Sequence, residues 1–168
     1  MRLLEAMRTR RSIRRYKDKP VEKEKLVNIL ESARLAPSAM NKQPYTLVVV
    51  TERKVIKKLI AACNQDWATS TIIVMCALPS EAWTRDDGES YWKADAAIAM
   101  HNMSLVSLEE GLGTCWIAAF KESEIKKILG IPAHVRVMAM TPLGYAAEKK
   151  GPVTRRKSLE ELVRYERW

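Results

Sequence analysis

The chain has 168 residues, 29 basic and 20 acidic, for a formal net charge of +9 with both histidines neutral. That length supports one domain with a full hydrophobic core, its apolar and charged fractions are those of a soluble globular protein, and no apolar run is long enough to span a bilayer. Cys63, Cys76 and Cys115 are odd in number, far apart and without a Cys-x-x-Cys pair or a nearby histidine, so they read as reduced core residues and not as a disulfide or zinc framework.

In chain order, Leu3, Leu4 and Met7 fall at helical spacing and predict a short helix over residues 2–8. The region from Met1 to Tyr16 is basic and lacks the apolar segment of a signal peptide, so a cytoplasmic address is expected. Within it, Arg10-Arg11-Ser12-Ile13-Arg14-Arg15-Tyr16 places four arginines and a hydroxyl in six consecutive positions. In an extended backbone Arg10, Ser12 and Arg14 share one face, and Arg11, Ile13 and Arg15 the other. Two guanidinium forks flanking a hydroxyl suit a phosphate or another planar anion; a solvated basic loop is the alternative. After Asp18-Lys19-Pro20 a helix is predicted from Glu22 to Leu35, with Leu26, Ile29, Leu30 and Ala33 as its apolar stripe. Pro37 stops it. The stretch Pro37 to Tyr45 is a loop by composition, and the amides of Asn41 and Gln43 can read the edge of a heterocycle or stabilise the turn itself.

Leu47 to Val50 reads as a short buried strand. Arg53 to Cys63 reads as a helix with Ile56, Leu59 and Ile60 inward, and Thr71 to Leu78 as a second buried strand. Residues 79–91 have no clear period and contain Trp83 and Asp86-Asp87-Gly88; they are a lid over a site or a variable connection. Residues 92–110 form a helix with Ala96, Ala99, Met100, Met103, Val106 and Ser107 on one side, and its alanines suit a central helix packed on all sides, including at a subunit contact. Gly111 to Phe120 is a turn running into a buried strand, where two glycines are expected to let something flat or anionic approach the backbone. The third glycine of a dinucleotide fingerprint is missing. Glu122 to Leu129 is a helix closed by Gly130, and Val135 to Met140 is a strand leading into Thr141-Pro142-Leu143-Gly144-Tyr145. Lys149-Lys150 and Arg155-Arg156-Lys157 make the tail basic, and Ser158 with Glu161 forms a capping box opening a helix that carries Leu159, Leu162 and Val163. Neither His101 nor His134 has companions spaced for a triad or a metal site. With no repeat or linker, strands alternating with helices imply one α/β or α+β domain over residues 1–168.

These segments, in this order, resemble the FMN-dependent nitroreductase family over nearly the whole chain. The resemblance is carried by Arg10 to Arg14 followed by an aromatic, by Ala36-Pro37-Ser38 with Asn41 and Gln43-Pro44, and by Asp95 to Asn102. Gly111 to Trp116, Pro142 to Tyr145, and Arg156-Lys157 with Leu159-Glu160-Glu161 continue it. It implies an α+β fold with a central mixed, mainly antiparallel sheet flanked by helices, in an intertwined homodimer with FMN at the interface. It also implies that Arg10, Ser12 and Arg156 hold the phosphate, with Arg11 on the same segment as Arg10 and the adjoining Lys157 among the cofactor-binding residues. Arg14 would tune the flavin at its pyrimidine edge. Pro37, Ser38 and Ala39 would reach the flavin of the other subunit, Asn41 and Gln43 would support that loop or touch the cofactor, and Trp116, Ile117 and Ala118 would lie beside the ring. The protein would supply no catalytic side chain of its own. NAD(P)H would be the electron donor, and a nitroaromatic or quinone the acceptor, in ping-pong order. Reductive dehalogenation is another chemistry of the same family. Outside it, the charge of +9 raises a nucleic-acid-binding protein, against which stand a single Phe, dispersed lysines and no reading helix. Neither nucleic acid nor membrane is an expected partner.

Overall fold

The computed structural model describes residues 2–63, 65 and 67–168. Helix α1 (Leu3–Thr9) leads into the arginine stretch, and α2 (Lys23–Arg34) into the proline-bounded loop. Strand β1 (Tyr45–Val50), α3 (Arg53–Ala62) and β2 (Thr71–Ala77) follow, then α4 (Trp92–Glu109), β3 (Gly113–Thr114), α5 (Glu122–Leu129), β4 (Arg136–Gly144) and α6 (Leu159–Leu162). The strands form one sheet in the order β1-β2-β4-β3, every ladder antiparallel. A lone parallel bridge joins Ser12 to Thr114 and brings the arginine stretch to the β3 edge. This is the α+β, mainly antiparallel arrangement expected.

Strand β2 is the centre of the molecule, and all seven of its residues are buried. Its alternation divides the core. Ile73, Met75 and Ala77 pack with Ile29 and Ala33 of α2 and with Ala96, Ala99, Met100 and Met103 of α4. Ile72, Val74 and Cys76 face the other layer, with Ile56 and Leu59 of α3, Ile125 of α5, and Trp67. A run of β-branched and sulfur side chains buried on both faces is what a strand sandwiched between helical layers requires. Cys63, Cys76 and Cys115 are buried and free, and burial pushes the Cys63 and Cys76 thiols up to about 11.

Two expectations are corrected. The strand predicted to follow Gly111 is only Gly113–Thr114, rejoining the sheet at an isolated Ile117–Met140 bridge. The cause lies on β4. Met140 and Ile117 exchange both backbone hydrogen bonds at 2.9 Å, and alternate residues turn their amides the same way. Pro142 therefore faces Cys115 with no N–H to give, and the ladder opens there. The strand predicted as Val135 to Met140 instead runs from Arg136 to Gly144. Helix α4 is packed along one side within the chain. It buries Asp95, Ala96, Ala99, Met100, Met103 and Ser107 but leaves Ile98 and His101 exposed.

Helix α5 is fixed to β4 through Glu122, whose carboxylate accepts from Arg136 Nε at 2.9 Å, Arg136 Nη2 at 3.0 Å and the Val137 amide at 2.9 Å. Gly130, at φ +67°, closes the helix in the left-handed conformation. The Arg136 fork and the Val137 amide hold the Glu122 carboxyl below the ordinary carboxylate range. A carboxyl depressed by folding adds stability above its unfolded pKa and loses it as pH falls through the folded value. Thermal unfolding of the wild type should therefore move to lower temperature as pH is taken from about 5 toward about 3. Glu122→Gln should show a shallower decline across that window. Parallel melting curves against pH check this, and identical slopes would remove Glu122 from the account.

Candidate functional site

The arginine stretch is held extended from three directions. Its first amide, Arg10 N–H, donates to Ala6 at the end of α1. Ile13 N–H donates to Thr114 at 2.8 Å, and the buried Ile13 side chain lies against Gly113. The buried Tyr16 hydroxyl donates to the Ile13 carbonyl, and burial pushes that phenol far above its usual range. The predicted alternation of faces holds for the first four residues. Arg10 and Ser12 open into a groove of about 150 Å³, where His101, Ser104, Trp116 and Thr141 complete the polar and aromatic lining. Arg11 turns away from this first hollow, and its guanidinium donates to the carbonyls of Gly151 and Pro152, the latter at 3.2 Å.

A second hollow of about 210 Å³ shares Arg10, Ser104 and Thr114 with the first and adds Arg11 and Lys150. Neither lining includes a carboxylate. The combined groove is therefore positive along its length, and Trp116, 43% exposed, lies at its edge. Such a lining suits an anion joined to a flat ring. A larger hollow of about 380 Å³ on the α3 side of the sheet is less suited, because its Arg53 is paired with Asp18 at 2.5 Å. Among the described residues no group of three or more His, Cys, Asp or Glu could hold a metal ion, and no helix is long and apolar enough to cross a membrane.

Other residues singled out from the sequence lie elsewhere. The amides of Arg14 and Arg15 are held by Glu148, and the exposed Arg14 side chain is outside the groove lining. Arg156 and Lys157 are exposed on the C-terminal segment, where the Arg156 guanidinium donates to its neighbour's carbonyl at 2.9 Å. Ile117 is buried and Ala118 exposed beside Trp116. Pro37, Ser38 and Ala39 are brought to α4 and not to Arg10: Ala39 N–H donates to Asp95 at 2.9 Å. Ser38 Oγ accepts from the Gln43 amide at 2.9 Å, and the Gln43 side chain donates to the Asn41 carbonyl at 2.9 Å. Positive φ at Met40, Asn41 and Gln43 is thus fastened by the loop's own polar groups. The segment 79–91 is more regular than its composition implied. A bridge pairs Thr84 with Ser90, Arg85 pairs with Asp87 at 2.6 Å, and Trp83 meets Tyr91 edge to face. None of it lines the groove of its own chain.

Sequence reasoning missed His101 and Ser104, although their i,i+3 spacing on a helix otherwise apolar at Met100 and Met103 was a usable signal. It also missed Asp95, a carboxylate only 2% exposed among alanines. Both glycines line the second hollow, and Gly113 has a further part. What approaches Gly113 is the Ile13 side chain, because a Cβ built there would meet Ile13 Cγ1 at 2.7 Å and Cβ at 2.8 Å, whereas Gly111 has open space and a φ of +75° after α4.

A family model for the nitroreductase family matches residues 7–72 and 67–145. The fold is similar to the crystal structure of a nitroreductase family protein of Clostridium difficile 630, with a TM-score of 0.91 and 32% identity, covering 100% of both chains. An FMN-dependent nitroreductase of Clostridium difficile R20291 gives a TM-score of 0.83 at 28% identity, covering 98% of this chain and 99% of that one. Among curated proteins, an FMN reductase [NAD(P)H] of Bacillus subtilis strain 168 is 26% identical over 166 residues, which is 88% of this chain and 67% of that protein. The chain belongs to the nitroreductase family.

Gly113→Ala should push Ile13, and with it Arg10 and Ser12, out of place. We expect a loss of about 1–3 kcal/mol of stability from the overpacking, measured by urea denaturation, together with weaker binding of any anion in the groove. An unchanged midpoint would mean that the stretch yields without cost.

Proposed function

We propose that this chain is an FMN-dependent oxidoreductase that takes electrons from NAD(P)H and passes them, in ping-pong order, to an electron-poor acceptor such as a nitroaromatic or a quinone. The observation that carries the reading is the carboxylate-free groove with Arg10 and Ser12 at one place and Trp116 at another. The residues fit the cofactor: a phosphate finds a guanidinium and a hydroxyl, and a planar ring finds the Trp116 segment. When bound, FMN supplies the hydride relay that no side chain here offers.

The chain's own groups bind and orient. Arg10 and Ser12 anchor the phosphate. Arg156 and Lys157 reach it from the C-terminal segment, whose root is already tied to Arg11 at Gly151 and Pro152. Arg14, exposed and outside the groove lining of its own chain, would tune the flavin by turning toward its pyrimidine edge, where a cation favours negative charge on the ring. Trp116, with Ile117 and Ala118 beside it, would hold the ring mainly through backbone groups, and His101 and Ser104 of α4 line the same groove.

The working unit is a homodimer. Hollows of about 150 and 210 Å³ are small beside the roughly 300–1,000 Å³ of a site that encloses a cofactor-sized ligand. From Thr154 to Trp168 the chain is exposed throughout, and Leu159, Leu162, Val163, Tyr165 and Trp168 present apolar surface to solvent. A four-residue helix does not persist on its cap alone, so α6 needs a surface to lie on. A second copy provides it. Pro37, Ser38 and Ala39 then complete that copy's groove, with Asn41 and Gln43 bracing the loop and residues 79–91 forming the lid.

Purified protein should take up FMN at one per chain, quenching flavin fluorescence, and should oxidise NADH or NADPH when menadione or nitrofurazone is present. Arg10→Ala should weaken FMN binding about tenfold or more, as loss of a charge-assisted phosphate contact requires. A protein that stays colourless with excess FMN yet binds DNA with a steep salt dependence would replace this reading with the nucleic-acid one. Separately, a chain ending at Lys150 should sediment as a monomer and lose most of its FMN affinity. A truncated dimer that keeps its cofactor would refute the role given to the C-terminal segment.

A further inference from the structure

The segment from Tyr145 to Pro152 runs beside the arginine stretch and grips its backbone. Lys17 N–H donates to Tyr145 at 2.8 Å and Ala147 N–H to Arg15 at 2.9 Å. Beyond these ordinary links, toward Ser12, sits an ion pair. Glu148 Oε1 accepts the Arg14 amide at 2.6 Å and the Arg15 amide at 3.3 Å. Lys150 Nζ donates to the Ser12 carbonyl at 2.7 Å and reaches the same Glu148 oxygen at 3.2 Å. Both side chains are largely covered, at 23% and 22% exposure, unlike a typical surface pair.

In an extended chain the carbonyl of one residue and the amide two residues on point the same way. Ser12 C=O and Arg14 N–H therefore form one edge, and the Ile13 amide, bonded to Thr114, faces the sheet on the other. Water could satisfy the outer edge without orienting it. A carboxylate and an ammonium satisfy it with shorter, stronger bonds and fix the rotation of the peptides on either side of Ile13. That rotation sets where Ser12 Oγ and the Arg10 guanidinium stand in the groove.

We propose that Glu148 and Lys150 are positioning residues for the phosphate of the cofactor: they lock the backbone from Ser12 to Arg15 so that Arg10 and Ser12 present their donors together, and they fix the root of the segment that carries Arg156. The inference rests on the FMN reading above. Glu148 acts without touching the anion, which its own charge would repel, and this gives the test a sign.

The experiment compares Kd for FMN with Kd for riboflavin, which has the same ring and ribityl chain without the phosphate. Removing a negative charge near the site should tighten FMN binding if only through-space electrostatics operate. If Glu148 positions the clamp, Glu148→Ala weakens FMN about tenfold or more and leaves riboflavin affinity unchanged, and Glu148→Gln, which keeps an acceptor for the two amides, stays near wild type. Tighter FMN binding by the Ala variant, or equal weakening of FMN and riboflavin, overturns the proposal. If Glu148→Ala does not fold, Lys150→Met against Lys150→Arg gives the reading: Met should erase the preference for FMN over riboflavin and Arg should restore it, while a preference kept in Lys150→Met overturns the proposal. Failure of the wild type to bind FMN at all is a different result, and overturns the flavin reading together with this one.

Discussion

The seating of Ile13 on Gly113 is the contact on which the rest of the site depends. A basic run of four arginines repels itself and has little reason to adopt one conformation in water. One apolar residue in its middle, buried where glycine leaves room for it, converts the run into an added edge of the sheet. Once Ile13 is down, Arg10 and Ser12 are turned to one side and Arg11 to the other, and Tyr16 closes over the Ile13 carbonyl. The hydrophobic term does the placing and the charged groups inherit their geometry from it.

The two core layers on either side of β2 give that edge its rigidity. One layer carries α4, which brings His101 and Ser104 to the groove and buries Asp95 beneath the loop from Pro37 to Gln43. The other carries α3 and α5 and holds β4 from behind through Glu122 and Arg136. The flavin reading therefore asks for no strained or unusual catalytic side chain. It asks for a stiff sheet edge, and the fold supplies one.

Much of this was legible in the sequence, and what was not has a common cause. Helices α2, α3 and α5 follow their apolar stripes, and Gly130 and the Ser158–Glu161 capping box end and begin helices where local chemistry says they should. The alternation along Arg10 to Ile13 was a local property and survived folding. What failed was long-range. That Gly113 also seats Ile13, a hundred residues earlier, is a contact nothing in the sequence shows. Lys150 reads as part of a basic tail and Glu148 draws no notice, because their partners are backbone groups of another segment. Asp95 sits among alanines like any helix-surface carboxylate until the amide of Ala39 is placed against it.

Pro142 has a consequence for how the β3 edge finds its place. In the observed alignment the proline faces the gap at Cys115, while Gly144 meets Gly113 and Met140 meets Ile117. Slide the segment by two residues and the proline falls opposite a residue that now receives an amide, so that bond is lost. Slide it by one and every side chain changes face, which would bury Trp116 and expose Ile117. A missing hydrogen atom thus acts as a keyway, admitting one registration of a very short strand that has few bonds of its own with which to choose.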